Sequence, residues 1–292
     1  MITASLVKDL REKTGAGMMD CKKALEANNG DINASIDWLR EKGISKAAKK
    51  ADRIAAEGIA AILIKGNKAV VIEVNSETDF VAKNQEFVDM INVILETVIN
   101  SDVKTVEEAL ELSTNEGTIE DLIVAKTAKI GEKLSFRRME VVEKTDSASF
   151  GDYIHMGGKI AVLTVVDNAD STVAKDVSMH AAAMRPQYVK SEDVPTEVLE
   201  KEKEIMKEQL LNEGKPEDRI DGILVGKVKK YYEEVCLENQ IFIKAENKET
   251  VADYVKANGG VINTMIRFEV GEGMQKKEEN FADEVAKQIQ GN

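Results

Sequence analysis

Few residues in this chain have the chemistry of a nucleophile, a general base or a metal ligand. The 292 residues include two histidines, His155 and His180, and two cysteines, Cys21 and Cys236. The cysteines are far apart and lack the close spacing of a zinc or redox motif, so we interpret both as reduced thiols. Phosphate loops, nucleophile elbows and His-Glu metal motifs are absent from the sequence. The sequence predicts no covalent chemistry, no metal and no cofactor, although a Ser-His-Asp site built from distant positions would leave no local motif.

One segment combines residues that are suited to binding another protein. Thr78, Asp79, Phe80 and Val81 lie where a predicted strand ends and a helix begins. Thr78 and Asp79 are both good N-caps, so helix initiation alone can account for them. Phe80 has two interpretations, a core aromatic or an exposed side chain that enters a pocket of a partner.

Composition excludes some classes of partner. The formal charge of −13 opposes direct nucleic-acid binding, because phosphate contacts supply most of the non-specific affinity. Apolar runs are far shorter than the ~20 residues that span a bilayer, and no secretion signal begins the chain, so we expect a cytoplasmic protein. Residues 1–55 hold 11 basic and 8 acidic residues, which indicates either solvated helix faces or steering toward a charged partner.

The elements that would position these residues begin with three short helices. Thr3 caps the first, which ends at Gly15 and Gly17. The second begins at Met18 and stops near Gly30, and the third runs from its cap Asp31 to Gly43. Residues 46–57 favour a helical linker.

The body of the chain contains one order of elements twice. A hairpin with its turn at Gly66-Asn67 precedes a long helix from about Phe80 to Ile99, a helix near 119–130 and a strand at 135–141. A hairpin turning at Gly157-Gly158 then precedes a helix near 170–184 and a strand at 265–270. This repetition predicts two related α+β halves.

The second half is interrupted by a charged segment that favours helices. Glu197 to Leu211 and Ile220 to Val235 are separated by a break at Gly214 and Pro216. Two helices joined by so short a break predict an antiparallel arm. It either rests on the body or grips another chain, and these interpretations have equal support. The sparse apolar positions of the arm are Ile205, Leu210, Ile220, Leu224 and Tyr231.

Two stretches resemble a known family. Thr78-Asp79-Phe80-Val81 and Leu10 to Leu25, which reads LREKTGAGMMDCKKAL, resemble the two signatures of the elongation factor Ts family. The resemblance covers the whole chain in order. Further agreement comes from Val124-Ala125-Lys126, Ile130-Gly131-Glu132, His180-Ala181-Ala182-Ala183 with Pro186, and Ile266 to Gly273.

The resemblance implies a detailed architecture. It implies a ubiquitin-associated-like helical head at 1–45, the linker at 46–57, a duplicated core with subdomains at 58–145 and 146–272, a coiled-coil arm inserted at about 195–238, and a C-terminal helical module at 273–292. The helix of that last module would run from Asn280 to Ile289.

The resemblance also implies a function. Family members promote nucleotide exchange on elongation factor Tu, a GTPase that holds GDP with the help of Mg²⁺. Asp79 and Phe80 would enter its nucleotide-binding domain and dislodge the metal. Met18 and Met19 match the surface of the head that docks on the GTPase, or pack in the core of the head itself. His155 matches an interface position, or is satisfied by its neighbours.

Other functions fit parts of the sequence. A scaffold would use the helical head for ubiquitin-like partners without affecting nucleotides, and an RNA-binding module would use the basic head. The acidic body and the lack of aromatic stacking runs oppose the RNA-binding interpretation. One or two copies could bind the GTPase, because a single arm and an arm that forms a homodimer look alike in sequence.

Overall fold

A computed structural model describes residues 2–14, 16 and 18–275. The chain divides into two compact units. Unit 1 consists of the described parts of Met1–Ile59, Ile72–Met139 and Val270–Asn292, and unit 2 consists of Ala60–Val71 and Glu140–Glu269. Each unit contains helices and strands, which agrees with the predicted α+β class.

Unit 1 begins with three helices, α1 (Ala4–Thr14), α2 (Met18–Ala27) and α3 (Ile32–Ala48). The Thr3 hydroxyl accepts the Leu6 N–H at 3.2 Å, and the Asp31 carboxylate accepts the Ala34 N–H at 2.9 Å. Both predicted caps are therefore confirmed. The apolar residues buried among the three helices are Val7, Leu10, Cys21, Ala24 and Leu25.

Three strands further along the chain are β1 (Glu57–Lys65), β2 (Lys68–Ser76) and β5 (Ser135–Glu143). They form a sheet with the order β1-β2-β5. The predicted turn at Gly66-Asn67 joins β1 to β2, and Gly66 has a φ of 59°, which glycine adopts without steric cost. The central strand β2 is buried along all but its first residue.

Between β2 and β5 the chain forms four helices and a short antiparallel pair of strands, namely α4 (Asp79–Ala82), α5 (Gln85–Ile99), α6 (Val106–Leu110), β3 (Ser113–Thr114), β4 (Gly117–Thr118) and α7 (Ile119–Ile130). The prediction of one helix from Phe80 to Ile99 is wrong. The Asn84 side chain accepts the Glu86 N–H at 2.9 Å and starts a new helix, so α4 and α5 are separate.

The predicted helical linker at 46–57 is also wrong for most of its length. Helix α3 passes through Gly43 and ends at Ala48, turns follow, and β1 begins at Glu57. A Cβ at Gly43 would lie 3.7 Å from the Ala128 Cβ of α7, so this glycine lies at a helix contact and does not end α3. Bonds to the turn after α7 hold the segment that follows α3: the Lys50 Nζ donates to the Gly131 carbonyl at 2.7 Å.

Unit 2 contains an antiparallel sheet of order β6-β7-β8, formed by β6 (Ala148–His155), β7 (Ile160–Asp167) and β8 (Val261–Glu269). The second predicted hairpin is confirmed, because His155 pairs with Ile160 across the turn. Helix α8 (Ser171–Met184) packs on β6 and β7. Gly151 permits this approach, since a Cβ there would lie 2.1 Å from the Ala174 carbonyl carbon.

The elements between α8 and β8 are helical. They are 3-10 turns at Ser191–Asp193 and Leu237–Asn239, α9 (Thr196–Asn212), α10 (Glu217–Val235) and α11 (Val251–Ala257). Helices α9 and α10 lie where the sequence predicts them and pack against each other, with Leu210 and Ile220 fully buried. Helix α11 was not predicted.

The helix predicted from Asn280 to Ile289 lies outside the described residues. None of the helices in the described part of the chain is long and apolar enough to cross a membrane.

Candidate functional site

The chain changes from strand to helix within two residues at the end of β2. Ser76 ends the strand, and the extended backbone of Thr78, with φ −126° and ψ 157°, starts α4. The Thr78 hydroxyl accepts the Val81 N–H at 3.4 Å, so Thr78 is the N-cap. This local geometry places Asp79 and Phe80 in the first turn of a four-residue helix.

Phe80 projects into solvent. Its side chain is 80% exposed, whereas Val81 and Ala82 beside it are buried. The other described phenylalanines are all buried, namely Phe87, Phe136, Phe150, Phe242 and Phe268. Leaving a phenylalanine exposed forgoes the ~1.5–3 kcal/mol that its burial would contribute. The interpretation of Phe80 as a core aromatic is therefore wrong for the free protein.

Asp79 lies beside Phe80 and forms an exposed ion pair. Its carboxylate pairs with the Lys83 Nζ at 2.8 Å, four residues further along the chain, and both side chains are substantially exposed. An exposed pair of this kind contributes only ~0.3–0.5 kcal/mol. Breaking the pair with Lys83 therefore costs little by itself.

The turn after α7 fixes the start of α4. Glu132 accepts two bonds from Thr78, one from the backbone N–H to Oε2 at 3.0 Å and one from the hydroxyl to Oε1 at 2.7 Å. In return, the Glu77 Oε1 accepts the Lys133 N–H at 2.6 Å. We call these reciprocal bonds between Glu77-Thr78 and Glu132-Lys133 the carboxylate clamp. It was not predicted, although Ile130-Gly131-Glu132 was among the segments that resemble the family.

Met18 and Met19 lie in the first turn of α2, and their side chains are 55% and 63% exposed. The interpretation that either is buried in the core of the head is therefore wrong. Two adjacent exposed thioethers form a flexible apolar surface.

His155 lies in unit 2, at the last position of β6, and is exposed. Its Nδ1 is 3.4 Å from the Tyr153 hydroxyl, and the two rings stack with centroids 6.0 Å apart. A neighbour thus supports His155, as one interpretation of the sequence expected, and its ring stays open to solvent. The next residue, Met156, is also exposed and has a φ of 49°.

His180 is fully buried in unit 2. Its Nδ1 accepts the Ile243 N–H at 3.1 Å, which leaves the proton on Nε2 to donate to the Gln240 Oε1 at 3.0 Å. Burial lowers the pKa of the His180 imidazole, and the bond to Gln240 opposes that shift. Both ring nitrogens are thus engaged in joining α8 to the segment after α10, which is a structural role.

A buried ionic cluster in unit 1 was missed by the sequence reasoning. Glu73 of β2 is fully buried and accepts bonds from Arg137 at 2.8 Å, Arg138 at 2.5 Å, Asn75 at 3.0 Å and the Gly271 N–H at 2.9 Å. Burial raises the pKa of the Glu73 carboxyl, but the hydrogen bonds and the positive charges outweigh it, and the net pKa is lowered. The cluster fastens β2 to β5 and to the residues after β8.

The described residues include no group of three or more His, Cys, Asp or Glu side chains that could hold a metal ion. Within unit 1 the structure forms one corner from Thr78, Asp79, Phe80 and Val81, supported by the carboxylate clamp. The two methionines lie on α2 of the same unit, and His155 belongs to unit 2.

Comparison with known families identifies a matching family. Residues 77–272 match the family described as elongation factor TS, a match that begins just before the Thr78 corner. Members of this family are nucleotide exchange factors for elongation factor Tu in translation elongation, and they catalyse no covalent chemistry. Because the match covers more than half of the chain, the protein belongs to the elongation factor Ts family.

Proposed function

We propose that this protein releases GDP from elongation factor Tu by inserting the corner formed by Asp79 and Phe80 beside the phosphate and Mg²⁺ site of the GTPase. The observation that carries the proposal is the 80% exposure of Phe80 next to buried Val81. A folded protein gains nothing by holding a phenylalanine in water, whereas a pocket of the partner would bury it.

Exchange of this kind is a coupling between two binding events. The factor by which the protein prefers the empty GTPase equals the factor by which it weakens GDP binding. Burying Phe80 supplies ~1.5–3 kcal/mol, which corresponds to a change of about tenfold to a hundredfold in an equilibrium constant. Larger effects need further contacts that act together.

The Asp79 carboxylate contributes through charge. Its pairing with Lys83 is exposed to solvent and contributes little on its own. Oxygen ligands such as carboxylates compete for Mg²⁺, and a negative charge near the phosphates repels them. Together with displacement of the partner's helices by Phe80, this weakens the hold on metal and nucleotide.

Other exposed residues extend the interface. Met18 and Met19 dock the head on the GTPase, and His155 forms a second contact from unit 2. The exposed state of all three side chains supports these roles.

The family architecture is part of the proposal. It comprises a ubiquitin-associated-like head at 1–45, a core duplicated at 58–145 and 146–272, a coiled-coil arm at 195–238 and a C-terminal module at 273–292. The arm grips the GTPase or joins two copies of this chain. The protein works in the cytoplasm and has no direct contact with nucleic acid or membrane.

Release of labelled GDP tests the proposal. Elongation factor Tu loaded with fluorescent GDP is mixed with excess unlabelled GDP, with or without this protein. The protein should accelerate the loss of fluorescence, and Phe80→Ala should slow the limiting rate by about tenfold or more. Val93→Ala, which trims a partly exposed side chain of α5, is the matched control and should behave like the parent. Equal rates with and without the parent protein would show that it is a scaffold and not an exchange factor.

A further inference from the structure

We propose that Glu132 is a positioning residue, which orients Asp79 and Phe80 for exchange by fixing the hydroxyl of Thr78. This inference rests on the proposed function and adds to it a residue that touches neither nucleotide nor metal. The carboxylate clamp is the observation on which it depends.

Helix α4 has only four residues, which is too short to be stable on its own. Its start is therefore defined by what holds Thr78. The Glu132 carboxylate takes both the backbone N–H and the hydroxyl hydrogen of Thr78, at 3.0 and 2.7 Å. Two bonds from one residue to one carboxylate fix the backbone and the side-chain rotamer together.

The direction of the Thr78 hydroxyl links Glu132 to the helix. A hydroxyl has one hydrogen, and the Glu132 carboxylate can only accept it. With the hydrogen aimed at Glu132, a lone pair of the same oxygen faces the Val81 N–H at 3.4 Å and caps α4. Glu132 thus determines the polarity of the cap that orients Phe80.

The other half of the clamp holds Glu132 itself in place. The Glu77 carboxylate accepts the Lys133 N–H at 2.6 Å and pairs with the Arg53 Nη1 at 3.3 Å. The Lys133 Nζ donates to the Ala51 carbonyl at 2.5 Å. The corner is therefore attached to the turn after α7 and to the segment after α3.

Glu132→Gln is an informative change because it keeps the shape and alters only the hydrogen bonding. One amide oxygen can still accept from Thr78, but the amide nitrogen is a donor that faces a second donor. The Thr78 hydroxyl must then turn its hydrogen away from position 132, so the charge-assisted bond that fixes its direction toward Val81 is lost. Losing a hydrogen bond to a charged group corresponds to at least about tenfold in an equilibrium constant, so we expect the limiting rate of GDP release to fall about tenfold.

The test compares the parent, Glu132→Gln, Phe80→Ala, the double variant and Glu86→Gln as the control for charge. Glu86 also pairs with α7, through Lys129 at 2.6 Å, but is not part of the clamp. Glu132→Gln should lower the limiting rate and leave the half-saturating concentration within about twofold, while Glu86→Gln behaves as the parent. The combined loss in the double variant should be smaller than the product of the two single losses, because Glu132 acts partly through Phe80.

Hydrogen exchange of the free protein supplies a readout that does not depend on the partner. Glu132→Gln should speed amide exchange in the peptide that covers residues 77–84 by about tenfold and leave the α5 peptide unchanged. Unchanged exchange at 77–84 would overturn the inference, and so would multiplicative losses in the double variant. If Phe80→Ala is slow while Glu132→Gln equals the parent, the inference fails and the proposed function stands. If the parent itself fails to accelerate release, the proposed function fails.

Discussion

Removing the negative charge of Glu73 should destabilise the protein more than any substitution of an exposed carboxylate. Glu73 is fully buried, and its two oxygens accept bonds from Arg137, Arg138, Asn75 and the Gly271 N–H. In Glu73→Gln, one acceptor becomes an amide donor that faces donors. The two guanidinium groups also lose their common counter-charge.

The magnitude follows from the burial of the partners. Removing one member of a buried ion pair costs ~3–5 kcal/mol. The Arg137 and Arg138 side chains keep 25% and 28% of their exposure and are partly solvated, so the low end applies, about 3 kcal/mol. For a domain of this size, that corresponds to a decrease in Tm of roughly 6–12 °C.

Thermal and urea unfolding followed by circular dichroism measure this effect. Glu272→Gln is the matched control, because Glu272 pairs with Arg138 at 3.3 Å but is half exposed, and its loss should cost under about 1 kcal/mol. The native pKa of Glu73 is lowered from 4.5, so its contribution is present above that pH and is lost as the pH falls below it. The difference in the free energy of unfolding between the parent and Glu73→Gln should therefore shrink as the pH falls. A Glu73→Gln variant that melts within about 2 °C of the parent at neutral pH would refute the reasoning.

Three further predictions concern stability. Because the pKa of His180 is lowered from 6.5, the free energy of unfolding should fall as the pH drops below that value, by up to about 1.4 kcal/mol per pH unit. His180→Gln should remove this pH dependence, which urea unfolding at pH 7.5 and 5.5 measures. Gly151→Ala should destabilise the protein by about 1–3 kcal/mol or more, because the added Cβ meets the α8 backbone. Gly222→Ala, in open space on α10, should instead stabilise the protein by about 0.5–1 kcal/mol. Equal Tm values for the two variants would contradict this prediction. Phe87→Ala should cost ~3–5 kcal/mol and Phe80→Ala almost nothing, as measured by calorimetry.

Local signals predicted much of the fold from the sequence. Thr3 and Asp31 cap helices as expected, and both hairpins turn where glycine follows a run of alternating apolar residues. These features depend on neighbours within a few positions, so a short stretch of sequence is enough to predict them.

Features that depend on distant residues were missed. Gly43 predicts the end of a helix when it is considered alone, but in the fold it lies near Ala128 of α7. The Glu73 carboxylate meets the Gly271 N–H from 198 positions away, and Thr78 meets Glu132 from 54 positions away. Sequence periodicity does not reveal such pairs, because each charged or polar partner would also fit a solvent-exposed helix or strand face.

The site was predicted in part for the same reason. The residue types at Thr78 and Asp79 predicted a helix start, which is confirmed. Whether Phe80 is buried or exposed depends on which face of α4 the clamp turns outward, and that is decided by tertiary contacts.

Solvent labelling of Phe80 tests the central claim most directly. Hydroxyl-radical footprinting of the free protein should modify the exposed Phe80 ring readily. In the complex with nucleotide-free elongation factor Tu the ring should be protected, and excess GDP should restore its labelling, because the coupling is reciprocal. A complex that forms and is dissociated by GDP while Phe80 labels at an unchanged rate would contradict the claim.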